Sequence, residues 1–137
     1  MNRFLQEMGG TFAFMGNQHR LEVNGKEFFI DLLLYHRRLN CLVAIELKVG
    51  EFKPEYAGQM QFYLEALDDT IKRKEENPSI GIILCKGKDR TIVEYALRAS
   101  RKPMGIAQYR ILSNLPKELR KELPAPDQVS RLLDMLN

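Results

Sequence analysis

A chain of 137 residues with 45% hydrophobic and 28% charged side chains has the size and mixture of one ordinary globular domain, able to bury about two thirds of its unfolded surface. No apolar run approaches the ~18 to 20 residues of a membrane span, and the opening MNRFLQEMGG lacks the apolar core and cleavage site of a secretory signal, so a cytoplasmic setting off the membrane is expected. The net charge of +3 is uneven: residues 1–70 hold 7 Lys/Arg against 10 Asp/Glu, and residues 71–137 hold 14 against 8, part of the excess lying in a basic surface expected from Lys86–Arg90 and Arg98–Lys102.

Phe4, Leu5 and Met8 at helical spacing predict the end of an amphipathic helix stopped at Gly9-Gly10. Its abrupt, uncapped start is what a domain cut from a longer protein would show. From Thr11 to about Val23 short extended stretches follow, ending at Asn24-Gly25, the strongest two-residue hairpin signal. A second strand is expected from about Glu27 to His36, a turn at Arg37–Asn40, and a third strand from Cys41 to Val49. Both strands are apolar almost throughout, which implies burial on both faces in the middle of a sheet.

Pro54 in a first turn opens a helix running to about Lys72, with Tyr56, Met60, Tyr63, Leu64, Leu67 and Ile71 repeating at the 3.6-residue period. After the break at Glu76–Ser79, Ile80–Lys86 reads as a fourth strand. Asp89 then caps a helix over about Thr91–Ala99, and Met104–Leu112 reads as a fifth strand. Two short proline-led helices complete the chain. The expectation is an α/β domain with a mixed central sheet, residues 1–112 forming the core and 113–137 a helical extension of it.

Three charges interrupt the central strands. Asp31 stands in FFIDLLLY, and Glu46 and Lys48 stand in CLVAIELKV. A buried, unpaired carboxylate costs several kcal/mol, so each asks for a partner or a task. Glu46 and Lys48, two apart on a strand, share a face. If Arg37–Asn40 closes the hairpin, paired residue numbers sum to 77, which sets Asp31 directly across from Glu46 with Cβ atoms roughly 4.5 to 5.5 Å apart.

Carboxylates that close repel unless they share a proton or hold a cation. Hard oxygen donors favour Mg²⁺ or Mn²⁺ over zinc, and a neighbouring ammonium can hold a phosphate oxygen or orient water. The set suits metal-assisted phosphodiester hydrolysis. A buried Asp/Glu/Lys network that merely ties two strands together is the structural alternative.

Other chemistries find little support. Cys41 and Cys85 lack CxxC spacing and read as buried hydrophobes, His19 and His36 lack ligand spacing, and GxSxG, Walker A and GxGxxG are absent.

The chain resembles the PD-(D/E)xK nuclease superfamily through Asp31 on the second strand, Glu46-Leu47-Lys48 on the third, and the order αβββαβ of a restriction-endonuclease-like core. Gln59 and Tyr63 match the QxxxY of its RecB-like branch, at i and i+4 on the helix after the ExK strand. FFIDLLLYHRRLNCLVAIELK, FKPEYAGQMQFYL, NPSIGIILCK and EYALR are similar to the C-terminal nuclease domain of the bacterial YhcG-type family, in which a separate N-terminal domain precedes it. Ile30 replaces the motif's proline, which is not a ligand.

The resemblance implies Asp31 and Glu46 as metal ligands, with the Leu47 carbonyl as a third and Glu7 joining the metal shell. Lys48 would position the water and offset transition-state charge, and Gln59 and Tyr63 would support the site or touch the nucleic-acid backbone. His19, Arg20, Lys53, Lys86, Lys88 and Arg90 are expected to contact nucleic acid. The implied activity is Mg²⁺- or Mn²⁺-dependent hydrolysis of DNA by an endonuclease, with recognition supplied by the N-terminal domain, and with pairing of two chains where both strands are cut. The rival reading is a nuclease-fold module that binds nucleic acid or a protein without cleaving.

Overall fold

The structure, a computed structural model, describes residues 12–108. The expected first helix with Glu7, the far end of the fifth strand and the helical extension lie outside the described residues.

Chain order is β1 (Phe12–Val23), β2 (Lys26–His36), β3 (Cys41–Leu47), α1 (Pro54–Thr70), β4 (Ile80–Cys85), α2 (Arg90–Arg98) and β5 (Met104–Gln108). The five strands form one sheet in sequential order. β1, β2 and β3 are an antiparallel meander, whereas β3–β4 and β4–β5 are parallel pairs. Parallel neighbours need a crossover, and α1 and α2 supply them. The mixed sheet and the element order thus match the sequence expectation.

The turns form where their chemistry allows. Asn24 and Gly25 take φ of 51° and 79°, the pair of positive angles that a two-residue hairpin turn demands. Asn40, at φ 54°, ends the second turn between His36 and Cys41, which pair across it. Phe12–Val23, expected as separate short stretches, is one continuous strand. A register shift between Phe14 and Gly16 lets it bend, as bulged strands do.

β3 is buried at every position from Cys41 to Glu46. One face packs with α1: Leu33, Leu42, Ala44 and Ile83 share a cluster with Ala57, Met60, Tyr63, Leu64 and Leu67. The alternate residues Leu32, Leu34, Val43, Ile45, Ile82 and Leu84 are equally buried, and strand alternation puts them on the other face. Gly81 permits the close approach of α1, because a Cβ there would lie 2.5 Å from Met60 Cγ.

The far end of α1 is tied down by Asp68. Its Oδ1 accepts from Ser79 N–H at 2.9 Å and its Oδ2 from Lys102 Nζ at 2.8 Å, joining helix, β4 and the approach to β5. These bonds anchor the C-terminal end of α1 over the sheet.

Candidate active site

β2 and β3 pair from His36/Cys41 to Leu32/Ile45, so one further step sets Asp31 opposite Glu46. At that step the backbone ladder gives way to side chains. Asp31 N–H donates to Glu46 Oε2 at 2.7 Å, and Leu47 N–H donates to Asp31 Oδ2 at 2.8 Å. Opening a sheet leaves backbone donors that must find acceptors, and here each carboxylate takes a donor from the opposing strand.

Glu46 is only 4% exposed. Burial, and after it the charge of Asp31, pushes its carboxyl up to about 8; the Asp31 N–H and the Lys48 ammonium pull the other way and are outweighed. Glu46 is thus held against ionisation, and a divalent ion beside the pair would favour the charged form.

Lys48 lies just past β3, its N–H donating to Leu84 O at 2.8 Å. Its Nζ donates to Gln59 Oε1 at 2.8 Å and stands 4.8 Å from the centre of the Tyr56 ring, a cation–π distance. α1 thus holds the ammonium from two positions.

Tyr63, one turn beyond Gln59, is both core and site. It is buried in the cluster under α1, yet Glu46 and Asp31 are close enough to raise its hydroxyl pKa, after the larger effect of burial and against a hydrogen bond with Gln59.

Sequence reasoning missed Gln18. The β1–β2 ladder passes from Asn17/Leu32 to His19/Ile30, and at the skipped step Gln18 adopts φ 44° and donates from Nε2 to Asp31 Oδ1 at 3.0 Å. Counting outward from the Asn24-Gly25 turn sets position 18 across from 31, so the signal was available.

The contacts of His19 and Arg20 lie elsewhere. The His19 ring packs against Gly16, its Nδ1 buried without a hydrogen-bond partner among the described residues. Arg20 is an exposed partner of Glu27 at 3.1 Å and Glu22 at 3.6 Å.

The loops after β3 and β4 are bonded to each other. Lys86 N–H donates to Gly50 O at 3.0 Å and Phe52 N–H to Gly87 O at 2.8 Å. This gathers Lys53 and Lys86 at the same end of the sheet as Lys48. Lys88 Nζ donates to Ile106 O, and Arg90 opens α2, whose N-terminus Asp89 caps by accepting from Thr91 and Ile92 N–H. The second basic run is largely neutralised: Arg98 pairs with Glu94 at 2.9 Å and Lys102 with Asp68 at 2.8 Å.

The oxygen donors available for a metal are Asp31, Glu46 and the Leu47 carbonyl. Among the described residues no group of three or more His, Cys, Asp or Glu side chains forms a cage. Two opposed carboxylates, one of them pushed up by burial and by the charge of the other, fit a hard divalent cation. Cys41 and Cys85 are separate buried thiols, both free, and burial pushes each up to about 11, so neither is a soft ligand at neutral pH.

A family model described as the YhcG PDDEXK nuclease domain matches residues 1–124. "Putative nuclease YhcG" of Escherichia coli (strain K12) is 40% identical over 117 residues, 85% of this chain and 31% of that protein, so the chain spans about a third of that relative's length. A repair endonuclease from Pyrococcus abyssi has a similar structure, with a TM-score of 0.50 at 13% identity over 80% of this chain and 42% of its own. EndoMS in complex with double-stranded DNA gives 0.51 at 13% identity, over 77% and 39%. At these identities the two structures establish the fold alone, which is restriction-endonuclease-like.

Proposed function

The chain belongs to the family of YhcG PDDEXK nuclease domains, and from that premise we propose that it is an endonuclease domain hydrolysing DNA phosphodiester bonds with Mg²⁺ or Mn²⁺, centred on Asp31, Glu46 and Lys48. The observation that carries this reading is half-buried Asp31 set opposite buried Glu46, with Lys48 fixed beside them by Gln59.

Asp31, Glu46 and the Leu47 carbonyl would hold the cation, with Glu7, outside the described residues, as an additional acid. The cation supplies Lewis acidity toward the phosphate and lowers the pKa of water beside it. Lys48 aims a fixed positive charge at the oxygens on which charge builds in the transition state, and such preorganised charge needs no reorganisation during reaction. Gln59 and Tyr56 restrict the lysine's rotamers, and Tyr63 closes the floor of the site against water.

Lys53, Lys86, Lys88 and Arg90, with His19 and Arg20 along β1, would carry backbone contacts that fix the duplex without reading its sequence. DNA as substrate draws support from the DNA-bound state of EndoMS. Selection of the cleaved structure falls to regions beyond this chain, in keeping with the 31% share of the E. coli relative that it spans. The inferred setting is the cytoplasm; among the described residues no helix is long and apolar enough to cross a membrane.

The test is incubation with plasmid, single-stranded and branched DNA in Mg²⁺, Mn²⁺ or EDTA. Cleavage is expected with either cation and not in EDTA, and it should vanish in an Asp31→Ala/Lys48→Ala double variant. Undiminished cleavage by that variant would overturn the assignment, and DNA binding without cleavage under every cation condition would favour a binding module.

A further inference from the structure

We propose that Gln18 is a positioning residue for this site, locking the carboxylate of Asp31 in the plane from which it engages a divalent cation. The proposal rests on the reading of Asp31 as a metal ligand.

Among the described residues three other than glycine have positive φ: Gln18, Asn24 and Asn40. The two asparagines sit in the hairpin turns, where their type tolerates the left-handed region. Gln18 sits inside β1, and a left-handed residue of its type costs on the order of 1 kcal/mol. That cost falls at the β1 position facing Asp31, the step that the ladder skips between Asn17/Leu32 and His19/Ile30. Strain that persists inside a strand needs a compensating contact, and such strain gathers at functional sites.

The compensating contact is the bond from Gln18 Nε2 to Asp31 Oδ1 at 3.0 Å. Asp31 Oδ2 meanwhile accepts from Leu47 N–H at 2.8 Å. The carboxylate of β2 is thus held at one oxygen by β1 and at the other by β3. With a single donor it could swing about its χ2 bond, whose torsional preference is broad. With one donor on each oxygen its plane is set, and each oxygen retains a lone pair for a cation. Partners that orient a ligand in this way typically change metal affinity by about 10- to 100-fold when removed.

Two variants separate the side chain from the backbone. Gln18→Gly removes the amide but suits the left-handed backbone, so its melting temperature should equal or exceed that of the parent chain. Gln18→Ala removes the amide and keeps the backbone cost, so it should melt lower. By titration calorimetry with Mn²⁺ on the 137-residue chain, both should bind the ion about tenfold or more weakly than the parent. A role limited to shaping the strand would leave Gln18→Gly with parental affinity, and that result would overturn the proposal while leaving the metal site intact. A parent chain that binds no Mn²⁺ would instead remove the metal-ligand reading of Asp31, and the proposal with it.

Discussion

Replacing Glu46 by Gln should stabilise the metal-free domain at alkaline pH. The carboxyl is raised from 4.5 to about 8 in the folded chain, so the folded state binds its proton more tightly than the unfolded state does. Linkage then fixes the sign: the associated stability is fully present below pH ~4.5 and is lost progressively as pH rises through about 8. At about 1.36 kcal/mol per pH unit the whole interval corresponds to roughly 5 kcal/mol, a ceiling that local relaxation and water entry reduce to about 2–4 kcal/mol. Glutamine keeps the shape and an oxygen for the Asp31 N–H, but carries no charge to desolvate.

Thermal melting in EDTA between pH 4.5 and 9 is the assay. Parent and Glu46→Gln should melt together near pH 4.5 and diverge steadily from there to about pH 8, the variant melting roughly 5–15 °C higher at pH 9 if each kcal/mol is worth about 3–4 °C in a domain of this size. Adding Mn²⁺ at pH 8 should raise the parent more than the variant, because only the parent has the second carboxylate for the ion to neutralise. A parent curve that stayed superimposed on the variant's up to pH 9 in EDTA would refute the reasoning, since it would mean that Glu46 is not held against its charge.

Other expectations follow from the same contacts. Asp31→Asn should leave the metal-free fold as stable at pH 8 as the parent, or more so, by relieving the repulsion on Glu46; a fall in melting temperature of more than 10 °C would point to a purely structural network. Lys48→Met should lower the rate of DNA cleavage by about 10²- to 10³-fold, the usual effect of deleting one preorganised charge-stabilising donor, while far-ultraviolet circular dichroism stays unchanged. Asp68→Ala should cost about 2–4 kcal/mol in urea unfolding, because Lys102 and the Ser79 N–H lose their common acceptor. Burial alone would raise the Asp68 carboxyl, but the bonds from Lys102 and Ser79 outweigh it and hold it below 3.8. Its contribution is therefore present above pH ~4 and fades on acidification below that.

Much of the site was legible because strands have a period of two and hairpins have a register. A four-residue turn at Arg37–Asn40 is enough to set Asp31 against Glu46, and the ladder from His36/Cys41 to Leu32/Ile45 keeps that register. Pro54 and the apolar stripe located α1, and with it Gln59 and Tyr63. The basic runs were less legible, since composition counts charges without their partners. Arg98 and Lys102 look like free cations in sequence, but one meets a carboxylate a helical turn away and the other meets Asp68, 34 residues distant.

The position of Gln18 opposite Asp31 was readable from the hairpin register, but its role was not. Propensity and alternation describe regular strands, and this residue acts at the step where regularity fails. Ile30 and Leu33 both enter the cluster under α1, an odd spacing that strict alternation forbids, and the break falls between them, where Asp31 lies and Gln18 faces it. A regular ladder would have bound the Leu47 N–H to a carbonyl of β2 and left the Asp31 carboxylate without a backbone donor. Opening the ladder at this step supplies backbone N–H groups to one buried and one half-buried acid and lets β1 reach the latter. The same irregularity that costs pairing is thus what makes a close pair of carboxylates tolerable in the centre of the sheet, and a domain in which residue 18 returned to ordinary strand geometry would lose the hold of β1 on Asp31 before it lost the fold.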